Sequence, residues 1–323
     1  MRKSKTLLLI ALFLCSVNAM SSPLKVMVIN YFERGNFWPD GITKGFLDEL
    51  RYSQISFTSR TVYFKELGRS KERVLEEVKQ FKPTIVLLTD DAIADILMPD
   101  LMKNKIATFF TGVNREPEEI SWLKKEWSDY QTGVVQHYRS SESIRILQKF
   151  KPIKNIGILA GPSDAAINLA NFIKKDILAT YPEISVTIRS EGNYTKWKNA
   201  VSDLNQSEDA LWPLLPFHVR HDNGELVHWD DAGEYMRSTI SIPTVGVGNL
   251  DGPIDRLFSI GINPLDLGKQ TAIQAFFHLK GKPVKQIPVE RFRFHNIQFK
   301  LQELKRLNIK LPQELYGFAK IVG

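Results

Sequence analysis

Apolar positions along this chain follow two alternating rhythms. Short continuous runs rich in β-branched residues mark buried strands, and longer stretches with apolar residues three or four apart mark amphipathic helices. Leu24–Asn30 (LKVMVIN) predicts a strand, Tyr31–Asp40 a loop, and Gly41–Tyr52 a helix with Ile42, Phe46, Leu47 and Leu50 on its inner face. Ile55–Tyr63 alternates as a strand, Ser70–Phe81 carries Val74, Leu75, Val78 and Phe81 on one helical face, and Thr84–Leu88 (TIVLL) is a buried strand. Ala92–Asn104 predicts a helix interrupted near Pro99, and Ala107–Phe110 a strand ending at Thr111-Gly112. The pattern resumes with helix Ser141–Phe150, strand Ile156–Ala160, helix Asp164–Thr180, strand Ile184–Arg189, helix Lys196–Leu204 and strand Ala210–Leu215. A helix ending over Tyr235–Thr239 and a strand over Thr244–Gly248 follow. Alternating strands and helices imply parallel sheets covered on both faces. Two runs of similar length predict an α/β protein of two lobes, joined through the short polar segment Gln131–Ser141.

One segment breaks this rhythm. His218–Trp229 (HVRHDNGELVHW) centres on Asn223-Gly224, a type I′ turn signal between alternating residues, and predicts a β-hairpin just after a strand's C-terminal end.

The first nineteen residues, MRKSKTLLLIALFLCSVNA, have the layout of a secretory signal: Arg2, Lys3 and Lys5, then a mostly apolar Thr6–Val17, then small residues before a cut after Ala19. The apolar run is too short to span a membrane comfortably, so residues 1–19 predict a cleaved leader and a periplasmic mature protein; an uncleaved anchor is the competing reading. Cys15, the only cysteine, lies inside that leader behind Phe13-Leu14, which does not fit a lipoprotein site. The mature chain then has no disulfide, thiolate metal site or thiol nucleophile. Its stability rests on apolar cores, for which about 300 residues suffice. Removing the leader's three cations lowers the formal charge from +7 to +4. Lysine and arginine are interspersed with acids, and no basic stripe with interleaved aromatics argues for nucleic acid.

In open parallel sheets, ligands sit beyond the carboxyl ends of the strands, and with two facing lobes these loops line one cleft. The candidates are Phe32, Arg34, Asn36, Phe37 and Trp38 after the first strand, Thr89, Asp90 and Asp91 after the third, and Thr111, Gly112 and Asn114 after the fourth. From the second half come Ser163, Asp164, Pro213, Phe217, Asn249 and Asp251. Such a mixture of rings, hydroxyls, amides and carboxylates suits a small polar ligand with a flat or apolar part. Arg34 is placed to pair with a carboxylate, the Asp90-Asp91 pair to take an amine, and backbone N–H groups near Ser163 to hold an anion. Bland roles compete: Ser163, Asp164, Asp90 or Asp91 serves equally as a helix cap, and Phe37 and Trp38 as packing residues.

Three C-terminal segments resemble a known family: Ile260–Ala272 (IGINPLDLGKQTA), Lys280–Val289 (KGKPVKQIPV) and Asn296–Pro312 (NIQFKLQELKRLNIKLP). The Lys154–Ala160 strand and Gln131-Thr132-Gly133-Val134 match it too. The sequence resembles the bacterial substrate-binding proteins of ABC transporters, of the type I periplasmic class, over nearly the whole mature chain. The resemblance implies two Rossmann-like lobes with parallel central sheets, hinged by about three crossovers and closing on a small molecule; characterised relatives bind, among others, aromatic amino acids. It implies that lobe 1 comprises residues 20–134 and 253–285, and lobe 2 residues 135–252 and 286–323. Two departures stand at cleft loops: Leu214-Leu215-Pro216-Phe217 and the hairpin replace an Asp-Asn-Thr-like loop, and Asn36-Phe37-Trp38-Pro39 replaces a His-Pro loop. They bear on the ligand and not on the fold.

The expected function is capture of a small polar or aromatic, amino-acid-like solute and its presentation to an inner-membrane ABC permease. The alternative keeps the fold and has the closed protein bias a membrane sensor kinase or cyclase. Further expectations are a monomer, no catalysis, no cofactor, no metal and no nucleic acid partner. His218, His221, His228, Asp222, Asp230 and Asp231 crowd one region and could hold zinc, though a solvated hairpin explains them as well. Gly246-Val-Gly248 and Gly252 have the wrong spacing for a dinucleotide loop. Nothing in the chain points to a hydrolytic triad.

Overall fold

The computed structural model describes residues 23–124, 128–214, 218–247 and 256–323; the expected leader lies outside them. Strand β1 (Leu24–Asn30) is followed by α1 (Phe37–Tyr52), β2 (Phe57–Tyr63), α2 (Lys71–Phe81), β3 (Ile85–Leu88), α3 (Asp91–Lys103), β4 (Ala107–Val113) and β5 (Gln131–Val135). The chain continues with α4 (Ser140–Leu147), β6 (Asn155–Ala160), α5 (Asp164–Thr180), β7 (Ser185–Ser190), α6 (Tyr194–Ser207), β8 (Ala210–Pro213), α7 (Trp229–Thr239) and β9 (Val245–Gly246). It ends with β10 (Phe258–Ile262), α8 (Pro264–Leu279), β11 (Glu290–Arg291), β12 (His295–Lys300), α9 (Leu301–Arg306) and β13 (Ala319–Val322).

Two sheets form two lobes. The first runs β11-β5-β4-β3-β1-β2 and is parallel throughout. In the second, the parallel trio β7-β6-β8 continues through a single bridge, Leu211 to Thr244, into β9-β10-β12-β13, where only the β10–β12 pair is antiparallel. The central strands are buried on both faces, as their continuous apolar runs require. Apolar clusters lie on either side of the first sheet, one with α1 and α8 and the other with α2 and α3. The two-lobed α/β architecture with largely parallel sheets is the one the resemblance implies.

The chain passes between the lobes three times: at residues 136–139 between β5 and α4, at Asn263 between β10 and α8, and at residues 292–294 between β11 and β12. The return to lobe 1 was expected from residue 253, but β10 belongs to the second sheet, and only at Pro264 does the chain rejoin the first lobe. The short β11, expected in lobe 2, pairs with β5 of lobe 1. What holds α8 to lobe 1 is its crossing with α1. A Cβ on Gly45 would stand 2.0 Å from the Leu265 carbonyl oxygen, and one on Gly268 2.1 Å from that of Ile42. Two glycines thus let the helix backbones touch.

Local chemistry moves several boundaries. Helix α1 begins at Phe37, inside the expected loop, because Asn36 caps it by accepting from the Trp38 N–H at 3.1 Å, and Pro39 in the first turn needs no N–H partner. Helix α3 runs unbroken through Pro99. Gly112 (φ +74°) lies inside β4, where the register with β5 shifts, and the strand continues to Val113. The expected type I′ turn is absent: Gly224 has positive φ but Asn223 does not. Instead, Gly224 N–H donates to His221 O and His221 N–H to Glu225 O, the pattern of a type I turn followed by a left-handed glycine. One antiparallel bridge, Arg220 to Leu226, is all the ladder it makes.

The α1–α8 contact yields a prediction. Gly45→Val should cost about 3 kcal/mol of stability through overpacking, read as a lower urea midpoint with an unchanged slope.

Candidate functional site

The strands of the first sheet and β6–β10 of the second direct their carboxyl ends to the side where the crossovers run, whereas β12 and β13 run the opposite way. In lobe 1 the wall is built from the ends of β1, β3, β4 and β5. Asn30, fully buried at the tip of β1, anchors it: its Oδ1 accepts from Thr89 Oγ1 at 2.8 Å and its Nδ2 donates to Thr43 Oγ1 at 3.2 Å. The Thr89 hydroxyl is therefore used inside the wall. Gly112 is required for close approach, since a Cβ there would stand 2.7 Å from the Thr89 carbonyl oxygen. Thr111 is fully buried, and its hydroxyl has no hydrogen-bond partner.

The two aspartates, equivalent in sequence, are not equivalent in space. Asp91 is saturated: Oδ2 accepts from the Asn114 backbone N–H at 2.9 Å and from its Nδ2 at 2.7 Å, and Oδ1 from Arg115 Nε at 3.0 Å. Asp90 caps α3 with one oxygen, Oδ1 accepting from the Ala92 N–H at 2.9 Å. Burial, helped by the charges of Asp91 and Asp95 and opposed by the capping bond, pushes its pKa up to about 6.

The loop after β1 carries the aromatic candidates. Phe32 meets Tyr31 edge-on, with the Lys65 ammonium 4.6 Å from its ring centre. The Arg34 guanidinium lies over Tyr63 at 5.2 Å, and the Tyr63 hydroxyl donates to Asp40. Phe37 is 73% exposed, whereas the half-buried Trp38 packs on the α1–α8 side of the core. Asn36 is a cap.

The first crossover lies within the expected join Gln131–Ser141, but none of its residues was among the site candidates. The Tyr138 hydroxyl stands 2.7 Å from Gln136 Oε1 and 2.9 Å from Asn114 Oδ1, and burial first, then the charges of Asp91 and Asp90, holds its pKa well above the usual phenol value. Its ring meets Phe172 of α5 edge-on at 5.8 Å, as does that of His137 at 6.4 Å. The aromatic pairs therefore bridge the lobes. Beside them Lys175 pairs with Glu119 at 2.9 Å, Asp176 accepts from the Ser141 N–H at 2.8 Å, and His295 Nε2 donates to the His137 carbonyl at 2.7 Å. The signal was available: Gln136, His137 and Tyr138 stand in the polar join between the two halves.

From lobe 2, Ser163 caps α5 through the Ala166 N–H at 3.3 Å, and Asp164 is exposed in the first turn. Pro213 ends β8, and its carbonyl accepts from Arg256 at 3.3 Å. Phe217, Asn249 and Asp251 lie outside the described residues. The structure thus joins Thr89, Gly112, Asp91 and Asn114 in one wall and leaves Phe37 apart in solvent. His228 caps α7 and Asp222 accepts from Asn193 at 2.6 Å; among the described residues no group of three metal-ligating side chains is placed to hold an ion. No helix among them is long and apolar enough to cross a membrane.

A family profile described as "ABC transporter substrate binding protein" matches residues 41–322, most of the chain. The chain belongs to that family. Among solved structures it is similar to a ligand-free, open substrate binding protein with adhesive properties from Clostridium difficile, with a TM-score of 0.72 and 16% identity, covering 93% of this chain and 99% of that one. It is also similar to an ABC domain in complex with L-Trp from Streptococcus pneumoniae, with a TM-score of 0.65 and 18% identity, covering 93% of this chain and 100% of that one. An ABC transporter solute-binding protein in complex with benzoate from R. palustris shares the fold at a TM-score of 0.53 and 11% identity, covering 81% of this chain and 75% of that one. No curated protein matches.

An acid whose pKa is higher folded than unfolded binds its proton more tightly when folded. The Asp90 charge therefore destabilises the fold above about pH 6, and the penalty fades as pH falls toward the ordinary 3.8. Asp90→Asn keeps a capping oxygen. It should raise stability at pH 7.5 by on the order of 1–3 kcal/mol, with the gain shrinking toward zero at pH 4. Thermal melts across that range check this; a gain independent of pH would contradict it.

Proposed function

We propose that this protein is exported and captures a small solute, an aromatic amino acid or close analogue, between its lobes and delivers it to an ABC permease. The observation that supports the reading is the architecture: two lobes tied by three crossovers, with the carboxyl ends of their parallel strands on the crossover side, so that hinge closure buries what lies between. Release follows reopening, so the chain works by binding and not by turnover. A periplasmic location after loss of residues 1–19 fits this role.

The lobe 1 wall supports the ligand class. Asp90 keeps a carboxylate in a half-enclosed site at a cost to stability, with Oδ2 outside the capping bond; a ligand ammonium offsets that cost. Asp91, locked by Asn114 and Arg115, is withdrawn from the earlier pairing and serves to shape the wall. Arg34 makes no ion pair with any described carboxylate and lies over Tyr63, so its fork is available to a ligand carboxylate. Tyr138 and Phe172 offer ring faces for an aromatic side chain.

Thermal shift against amino acids tests this. A ligand at a hundred times its dissociation constant adds about 2.7 kcal/mol to stability. Tryptophan, phenylalanine or tyrosine should raise the melting point, and Asp90→Asn should abolish that response while sparing any response to aromatic carboxylates that lack the amine. No shift with any amino acid would sink the ligand class. Solute uptake restored by the co-expressed permease, and lost with the binding protein, separates transport from a sensory output.

A further inference from the structure

The far end of lobe 1, opposite the cleft, carries a concentration of unpaired lysines. Two hollows of about 460 and 430 Å³ open there, sharing Pro83 and Ile106. Lys79 and Lys82 line one, and Lys105 and Lys285 the other. Lys103 closes α3 beside them, and Lys280 and Lys282 follow α8 with their ammonium groups over Phe276 and Phe277. Of the carboxylates nearest the patch on these elements, Asp100 pairs with Lys71, Asp129 with Lys285 and Glu77 with Arg60, while Glu76 accepts only from the neutral amide of Gln80 and keeps its charge. No described carboxylate lies within ion-pair distance of Lys79, Lys82, Lys103, Lys105, Lys280 or Lys282.

Helix dipoles explain part of this, since cations in a last turn face partial negative charge. They do not explain Lys82 and Lys105, which lie beyond their helices with φ of 52° and 57°. Those are positions where glycine or asparagine relieves the backbone, yet each holds a lysine. Exposed aromatics stand at the same end of the lobe: Phe277, under Lys282, is 48% exposed, and Tyr52, at the end of α1 just before β2, 84%. The chain also enters the fold at this end, where β1 starts at Leu24 and Lys25 donates to the Phe81 carbonyl.

We propose that this basic pole rests on an anionic phospholipid surface. Lysine ammoniums meet the headgroup phosphates, and the exposed tyrosine and phenylalanine rings sit at the polar–apolar boundary. Because the pole lies opposite the cleft, the solute-binding loops stay free while the protein is held near the membrane.

Co-sedimentation of the mature protein with vesicles tests this. Phosphatidylcholine vesicles should retain little protein, and vesicles with about one third phosphatidylglycerol should retain it in a manner that weakens with salt. Lys79→Glu, Lys82→Glu and Lys105→Glu together should reduce the partition coefficient by about tenfold or more. Lys196→Glu, Lys305→Glu and Lys310→Glu, the same charge change on exposed lobe 2 positions, should leave it nearly unchanged. Lys82→Gly with Lys105→Gly should weaken vesicle binding without lowering the melting point, an outcome that a purely structural role for these lysines would not produce. The proposal is overturned if wild-type protein ignores anionic vesicles, if both triple variants lose binding equally, or if a DNA duplex retains the protein at a salt concentration where vesicles do not. Solute-induced thermal shifts in the pole variant read the cleft separately.

Discussion

The backbone contact between α1 and α8 is the constraint on which the two-lobed arrangement depends. Gly45 and Gly268 bring the helices close enough for carbonyl oxygens to occupy the space of a side chain. That contact seizes the chain immediately after it leaves β10 of the second sheet, so only Asn263 separates the last strand residue from the first helical one. A looser crossing would need a longer connection, and the hinge would lose its definition. Asn263 also caps α8 by accepting from the Leu265 N–H at 2.9 Å, and Pro264 fixes the first helical φ. The link is therefore short and conformationally narrow.

Much of this fold was legible from apolar spacing. Buried parallel strands such as Ile85–Leu88 and Ile156–Ala160 are continuous apolar runs because both their faces are covered, and helices such as α2 and α5 show their inner stripe plainly. What escaped was governed by a few atoms. Asn36 draws α1 back four residues into an expected loop, and the left-handed Gly112 carries β4 past its expected end. Strand β10 and the two-residue β11 were assigned to the wrong lobes because sheet membership is a long-range fact: FSIGI and ER look alike in either sheet, and only the partners, β12 and β9 for one and β5 for the other, decide.

The candidate site was legible as a set of loops but not as a set of roles. Strand-end topology points to loops in which polar residues gather. It does not reveal that Asp91 is consumed by Asn114 and Arg115 while Asp90 keeps an oxygen beyond its cap, because adjacent carboxylates look identical on paper. Nor does it select Tyr138, which matters because it stands on a crossover, where one ring reaches groups from both lobes. Ser163 resolves toward its structural reading as a cap.

The three crossings have a consequence for how such a molecule can be altered or inherited. Each lobe's sheet is assembled from separated pieces of chain: the first from β1–β5 and, after the excursion through the other lobe, β11; the second from β6–β10 and then β12 and β13. No single recombination point exchanges one lobe for another, and a truncated half carries sheet strands whose neighbours are encoded elsewhere. New specificity therefore has to arise by substitution within the loops, with both halves of the clamp travelling together through evolution.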